Sequence, residues 1–114
     1  MPPVHYLLAA LSEEGQVPLA GYATYGSEEL AGYASDALGD GNSVCLLQNH
    51  GTIAVGETAS EAYALTEILE EMARIYYRAC LAGEPKLLNA EEIADTRAKI
   101  LQDGRYKAVS SKAE

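Results

Sequence analysis

Apolar and polar positions along the first part of the chain predict two short elements. Residues 4–11 are apolar apart from His5, and their spacing fits either a short helix or a strand. Residues 17–26 are predicted to be extended, because Pro18 disfavours a helix interior. The chain therefore begins with an element of undecided type, followed by a segment that resembles a strand.

Three later segments combine a polar capping residue with apolar residues at helical spacing. The predicted helices run from Ser27 to about Leu38, over about residues 59–82, and from Asn89 to about Gln102. Thr58 and Glu61 have the spacing of a capping box at the start of the longest helix. Glu92 has the reciprocal position to Asn89 at the start of the last one. These signals predict where each helix begins.

Two apolar runs, residues 43–48 and 52–56, flank a bend at Gln48–Gly51 and predict a β-hairpin. Together with the extended segment, the hairpin predicts a small antiparallel sheet packed against helices. The pattern fits an α+β or an α/β fold. The residues after 104 are polar and are predicted to form a tail.

Length and charge restrict the class of protein. The chain has 114 residues, which fits one domain or part of one, and a formal net charge of -9. A nucleic-acid partner is not expected, because the phosphate backbone would be repelled. The N-terminus has no basic residue before its short apolar stretch, and no apolar run reaches the about 20 residues of a membrane span. We therefore predict a cytoplasmic protein without membrane association.

Cysteines and aromatic residues add two expectations. Cys45 and Cys80 lie in apolar contexts and are predicted to be buried free thiols rather than a disulfide. The aromatic residues are eight tyrosines, with no phenylalanine or tryptophan. The tyrosines of the longest helix are predicted to pack with the hydroxyl at the rim of the core; they are Tyr63, Tyr76 and Tyr77.

His50 is the first candidate for chemistry. It lies at the predicted bend between Asn49 and Gly51, two residues that tolerate unusual backbone angles. A neutral imidazole projecting from the end of a sheet can ligate a metal. The alternative is a turn histidine that is solvated or bonded to the backbone. His50 alone cannot hold zinc, because a catalytic zinc site needs about three protein ligands.

The second candidate is the pair His5 and Tyr6. A tyrosine can donate a proton to a developing alkoxide, so the pair could act in acid–base chemistry. The alternative is that both side chains only pack in the structure. The paired glutamates of the predicted helices indicate solvated charge rather than a site; they are Glu28 and Glu29, Glu70 and Glu71, and Glu91 and Glu92.

The order of these motifs resembles a known family. The stretches "PPVHYLLAAL", "VPLAGYATYGSEELA" and "SVCLLQNHGTIAVGETASEAYALTEILEEMARIYYRACLAGEPKLLNAEEI" are similar to the C-terminal half of class II aldolase/adducin domains, and most similar to the L-fuculose-phosphate aldolase subgroup. The resemblance implies an α/β fold of three αβα layers around a largely antiparallel central sheet. It implies that residues 1–104 are a partial domain and that residues 105–114 are the tail.

The resemblance also implies an activity. Members of this subgroup catalyse a zinc-dependent retro-aldol cleavage of a ketose phosphate such as L-fuculose 1-phosphate, which gives dihydroxyacetone phosphate and L-lactaldehyde. It implies a small-molecule sugar phosphate as the partner and a homo-oligomer, often a four-fold tetramer. The same superfamily contains sugar-phosphate 4-epimerases and dehydratases, and adducin-like interaction modules without catalysis, which are the alternatives.

The resemblance implies that three residues of this chain match positions of the family's site. His50 falls on the last zinc-binding histidine, Tyr6 on a tyrosine that assists proton transfer to the aldehyde oxygen, and Tyr25 on an aromatic position near the site. The family's C-terminal tyrosine aligns near residues 103–104, and Tyr106 is a possible substitute. The family's other zinc ligands and phosphate-binding loops belong upstream, so the lone chain is expected to be truncated and inactive.

Overall fold

Four helices and three short strands make up residues 1–104, which are the residues that the computed structural model describes. In chain order they are α1 (Leu8–Leu11), β1 (Leu19–Ala20), α2 (Glu28–Leu38), β2 (Val44–Leu47), β3 (Gly51–Ala54), α3 (Ala59–Ala82) and α4 (Ala90–Asp103). The three predicted helices and the hairpin are all present. The undecided segment 4–11 is helical only in α1, and the extended segment 17–26 forms a strand only in β1.

The strands form one sheet in the order β1-β2-β3. The hairpin β2–β3 is antiparallel over four residue pairs, from Val44 opposite Ala54 to Leu47 opposite Gly51. β1 pairs with β2 in parallel over two residue pairs. The expectation of an antiparallel sheet is therefore wrong for β1. The reason is that α2 connects β1 to β2, and a strand–helix–strand crossover returns the chain in the same direction.

The side chains of β2 divide the core into two clusters, one on each face of the sheet. Val44 packs in the cluster formed with α1, α3 and α4, whereas Cys45 and Leu47 pack with Leu30 and Ala34 of α2. This alternation follows from the period of two along a strand. The sheet is thus covered by helices on both faces, which confirms the α/β fold with three αβα layers.

Helix α1 is short but fully buried, and a long-range bond holds it in place. All four of its residues belong to the core. The guanidinium of Arg97 on α4 donates a hydrogen bond from Nη1 to the carbonyl oxygen of Ala9, over 2.8 Å. Burial lowers the pKa of Arg97 from its ordinary value, and the carboxylate of Glu13 opposes that effect. The contact fixes α1 against a helix that lies 88 positions further along the chain.

The predicted caps differ in how completely they form. At α4, Glu92 N–H donates to Asn89 Oδ1 (2.8 Å) and Asn89 N–H donates to Glu92 Oε1 (3.0 Å), so the capping box is complete. At α3, Glu61 N–H donates to Thr58 Oγ1 (3.1 Å), but the Glu61 carboxylate accepts from the N–H of Glu57 (3.0 Å) instead of Thr58. Only one of the two hydrogen bonds of the predicted capping box is therefore present at α3. The second bond is made by Glu57, the residue before the N-cap.

The outer part of α3 is more exposed than the sequence predicts. Cys45 is buried, and burial raises the pKa of its thiol, but Cys80 is exposed; both cysteines are free. Tyr63 and Tyr77 are exposed as well, and only Tyr76 is partly buried. The predictions for Cys80, Tyr63 and Tyr77 are wrong because only one face of α3 meets the core.

The helices within residues 1–104 were also compared with the length and hydropathy that a membrane span requires, and none of them meets both.

Candidate functional site

The turn between β2 and β3 places His50 at one end of the sheet. His50 N–H donates to the carbonyl oxygen of Leu47 over 3.1 Å, which closes a four-residue turn. Asn49, the third residue of that turn, has a φ of 55°, in the left-handed region that asparagine tolerates better than most residues. Gly51 does not use its conformational freedom, since it is the first residue of β3. The bend therefore depends on Asn49.

Replacing Asn49 should show that dependence. Asn49→Val is expected to lower the free energy of unfolding by about 1–2 kcal/mol, because a residue with a Cβ is strained in the left-handed region and a β-branched one most of all. Asn49→Gly, which adopts the same φ without strain, should leave the stability within about 0.5 kcal/mol of the parent. Urea unfolding of both variants checks this. Equal stability of the two would contradict the role given to Asn49.

The side chain of His50 is exposed to solvent. An exposed imidazole at the end of a sheet can act as a ligand to a metal that other groups also bind. Within residues 1–104, however, no group of three or more histidine, cysteine, aspartate or glutamate side chains is arranged to hold a metal ion. The described residues thus offer one candidate ligand and do not by themselves form a complete zinc site.

Tyr25 lies on the loop that follows β1, at the same edge of the sheet as His50. Because β1 and β2 are parallel, their carboxyl ends meet at one edge. The N–H of Gln48 donates to the carbonyl oxygen of Ala20 over 3.1 Å, which joins the ends of the two strands directly. The ring of Tyr25 is 82% exposed. The fold therefore presents an aromatic residue and an imidazole from two neighbouring loops.

Tyr6 lies just before α1 and is held next to His5. The two rings stack with 4.8 Å between their centroids. The N–H of Leu7 donates to His5 Nδ1 over 3.1 Å, which fixes the orientation of the imidazole. Tyr6 is 54% exposed. His5 and Tyr6 therefore pack against each other just before α1, and their part in acid–base chemistry stays a prediction.

In the described part of the chain, no hydrogen bond or ring contact joins His50, Tyr25 and Tyr6 to one another. Tyr6 contacts His5, and His50 bonds through its backbone to Leu47. Tyr106, the possible C-terminal tyrosine, lies outside the described residues. Two polar clefts of about 320 and 330 Å³ lie elsewhere, around Glu13, Glu14 and Gln16, and none of the candidates lines them.

Comparison with known proteins decides the family. The sequence model of the family described as "Class II Aldolase and Adducin N-terminal domain" matches residues 1–77, which is more than half of the chain. The chain belongs to this family. The match includes all three described candidates and the hairpin between β2 and β3.

Curated members of the class II aldolase and adducin family resemble this chain over most of its length. The 5-methylthioribulose-1-phosphate/5-deoxyribulose-1-phosphate aldolase of Rhodospirillum rubrum is 37% identical over 93 residues, which is 82% of this chain and 41% of that protein. The 5-deoxy-D-ribulose 1-phosphate aldolase of Bacillus thuringiensis serovar kurstaki is 37% identical over 99 residues, or 87% and 45%. The L-fuculose phosphate aldolase of Escherichia coli (strain K12) is 35% identical over 95 residues, or 82% and 43%.

A solved structure supports the same assignment. An L-fuculose 1-phosphate aldolase superposes with a TM-score of 0.81 and 37% identity, over 87% of this chain and 45% of that one. The chain thus spans a little under half the length of the relatives it matches. The fold of a class II aldolase is shown for this part, while the activity of the whole enzyme is a separate question.

Two features of the site were not predicted from the sequence. The parallel pairing of β1 with β2 brings the loop of Tyr25 to the turn of His50, and the bond from Arg97 to Ala9 fixes α1 behind Tyr6. The first had a signal, since a helix between two strands favours a parallel crossover. The hydrogen bond from Arg97 to Ala9 had no signal in the sequence, because no local pattern relates a cation on α4 to a carbonyl oxygen on α1.

Proposed function

We propose that this chain supplies the C-terminal part of the catalytic site of an aldolase that cleaves a ketose 1-phosphate. The observation that carries the proposal is His50, an exposed imidazole at a tight hairpin bend within the segment that matches the family. The named relatives are aldolases, which favours this activity over the epimerase, dehydratase and adducin-like alternatives.

The substrates named for the relatives share their chemistry. Each is a ketose phosphate, and two of the three names place the phosphate on C1 explicitly. In a retro-aldol cleavage the C4 hydroxyl loses its proton, the C3–C4 bond breaks, and C4 becomes the carbonyl carbon of an aldehyde. The electron pair remains on the three-carbon fragment, which takes up a proton at C3 to become dihydroxyacetone phosphate. We propose that substrate class for this protein.

The candidate residues take the roles that the family resemblance implies. Tyr6 moves the proton at the aldehyde oxygen, accepting it in cleavage and donating it in the reverse condensation; the exposure of the residue to solvent supports that role. Tyr25 forms part of the substrate pocket, at the same edge of the sheet as His50. Tyr106 substitutes for the C-terminal tyrosine of the family. The active protein is proposed to be a homo-oligomer, a tetramer by resemblance.

We further propose that His50 is one ligand of a zinc ion whose remaining ligands come from outside residues 1–104. Zinc would supply Lewis acidity toward the substrate carbonyl. Since a catalytic site needs about three protein ligands, the 114-residue chain alone should bind zinc weakly and should not cleave the substrate. Isothermal titration with zinc checks this. A tight complex of one zinc per chain would contradict the ligand count.

A hybrid enzyme tests the proposed function. This chain would replace the matching 95-residue segment of the E. coli L-fuculose phosphate aldolase, which would supply the other half of the site. We expect release of dihydroxyacetone phosphate from L-fuculose 1-phosphate or 5-deoxyribulose 1-phosphate, lost on chelation and restored by zinc. The host without the segment is the control. A folded hybrid that binds zinc but cleaves neither substrate would overturn the proposal.

A further inference from the structure

Helix α1 carries carbonyl groups that the helix itself does not satisfy. An α-helix leaves its last four carbonyl oxygens without an intrahelical donor, and α1 has only four residues, all of them buried. The carbonyl oxygen of Leu8 accepts from the N–H of Ser12 over 3.1 Å, and that of Leu11 accepts from the N–H of Ser43 over 2.8 Å. These carbonyl groups of α1 therefore depend on donors that lie beyond the helix.

The carbonyl oxygen of Ala9 takes its donor from α4. In a longer helix the N–H of Glu13 would donate to this oxygen, but here that N–H donates to the carbonyl oxygen of Gly41 over 3.0 Å. Nη1 of Arg97 donates to the Ala9 oxygen instead, over 2.8 Å. Since Ala9 is fully buried, loss of the guanidinium would leave a buried acceptor without this donor.

The other backbone group of Ala9 holds the turn that follows Tyr6. The N–H of Ala9 donates to the carbonyl oxygen of Tyr6 over 3.0 Å. Ala9 thus bonds to Tyr6 through its N–H and to Arg97 through its oxygen. A helix of four residues is too short to be stable by its own hydrogen bonds, so a shift of Ala9 is passed on to Tyr6.

The packing of α4 does not explain the placement of Arg97. The buried residues of α4 are Ile93 and Ile100, and the partly buried guanidinium between them adds a desolvation cost. That burial lowers the pKa of Arg97, and the nearby carboxylate of Glu13 opposes the effect. A hydrogen bond from a charged donor is stronger than one between neutral groups, so the bond to Ala9 offsets the cost.

We propose that Arg97 is a positioning residue for Tyr6 and that it acts through Ala9. The inference rests on the proposed function, in which Tyr6 moves the proton at the aldehyde oxygen. Arg97 holds Ala9, and Ala9 holds the backbone of Tyr6, which keeps the tyrosine at one place relative to the substrate. Such placement matters because a shift of about 1 Å can cost about 100-fold in rate.

Amide hydrogen exchange of the 114-residue chain tests this linkage without any need for activity. Arg97→Met keeps an unbranched side chain and removes the donor, so protection of the Ala9 N–H should fall about 10-fold or more relative to that of Leu46. The Leu46 N–H, which donates to Pro18 in the sheet, serves as the reference for a general loss of stability. Arg97→Lys, which keeps the charge and a donor, should recover most of the protection.

The matched control is Lys99→Met, an exposed change on the same helix that removes the same charge and should leave the ratio unchanged. An unchanged ratio in Arg97→Met, or an equal fall in Lys99→Met, would overturn the proposal. If Arg97→Met does not fold, Arg97→Gln takes its place, because its amide nitrogen lies two atoms closer to the backbone than Nη1 and cannot keep the bond.

Kinetics of the hybrid enzyme test whether the linkage reaches the chemistry. In the parent background Arg97→Met should lower kcat about 10-fold, with KM and zinc affinity close to those of the parent, and Arg97→Lys should restore most of kcat. In the Tyr6→Phe background the same change should cost less than about 2-fold, because the hydroxyl that it displaces is already absent. An equal fall in both backgrounds would show that Arg97 does not act through Tyr6. An inactive parent hybrid would count against the proposed function alone, and the exchange ratio would then decide the role of Arg97.

Discussion

Replacing His50 with alanine should abolish most of the cleavage activity of the hybrid enzyme. Loss of groups that only orient a metal ligand usually costs 10- to 100-fold, so loss of a ligand itself should cost at least about 100-fold in kcat/KM. Zinc affinity should fall in parallel, because the deleted imidazole is one of few donors. Dihydroxyacetone phosphate release and zinc titration of the same variant measure both quantities.

The control for His50→Ala is Gln48→Ala in the same turn. The side chain of Gln48 is exposed, and its backbone N–H, which the substitution keeps, makes the bond to Ala20. That variant should keep its activity within about 3-fold, since small surface changes rarely disturb a site. Activity of His50→Ala equal to that of Gln48→Ala would remove His50 from the proposed site. Loss of activity in both, with unchanged zinc affinity, would assign the effect to the turn instead.

The position of His50 could be predicted because its causes are local. Two apolar runs around a short polar bend specify a hairpin, and an asparagine beside the histidine accepts the left-handed backbone that the bend requires. The helices were predictable for the same reason, since Ser27, Thr58 and Asn89 act on backbone groups three positions away. Local signals specify the elements well.

The relation between the elements was less predictable, because it depends on tertiary contacts. The apolar surroundings of Cys80 in the sequence suggested burial, yet α3 turns that residue away from the core. The direction of β1 depends on which neighbour it joins, and the only signal for that choice is the predicted helix between segment 17–26 and the hairpin, not segment 17–26 itself. The placement of the Tyr6 ring likewise depends on its stacking with His5, whose Nδ1 accepts a hydrogen bond from the N–H of Leu7. The sequence therefore predicts the individual elements that carry the candidate residues better than it predicts how those elements are arranged in the fold.

Gly15→Ala should be the most destabilising single-methyl addition in the described core. Gly15 has a φ of +67°, which costs a residue with a Cβ about 1–2 kcal/mol. A Cβ there would lie 2.6 Å from Cδ1 and 2.9 Å from Cγ1 of Ile93, a core side chain that is only 1% exposed. Overpacking of a core adds about 1–3 kcal/mol. We expect a total loss of about 2–5 kcal/mol in urea unfolding, from the two causes together.

A matched glycine separates the two causes. Gly26 has a φ of +76° but nothing within 4 Å of its added Cβ, so Gly26→Ala should show the backbone cost alone. Ile93→Val removes Cδ1, the atom nearest to the new methyl group, at a cost of about 0.5–1.5 kcal/mol in the parent. In the Gly15→Ala background the same change should cost less or even stabilise, because it relieves the clash; the difference is the coupling energy of a double-mutant cycle. Equal losses at Gly15 and Gly26 with no coupling to Ile93 would show that the backbone angle, and not the packing of α4 onto this turn, is what the glycine provides.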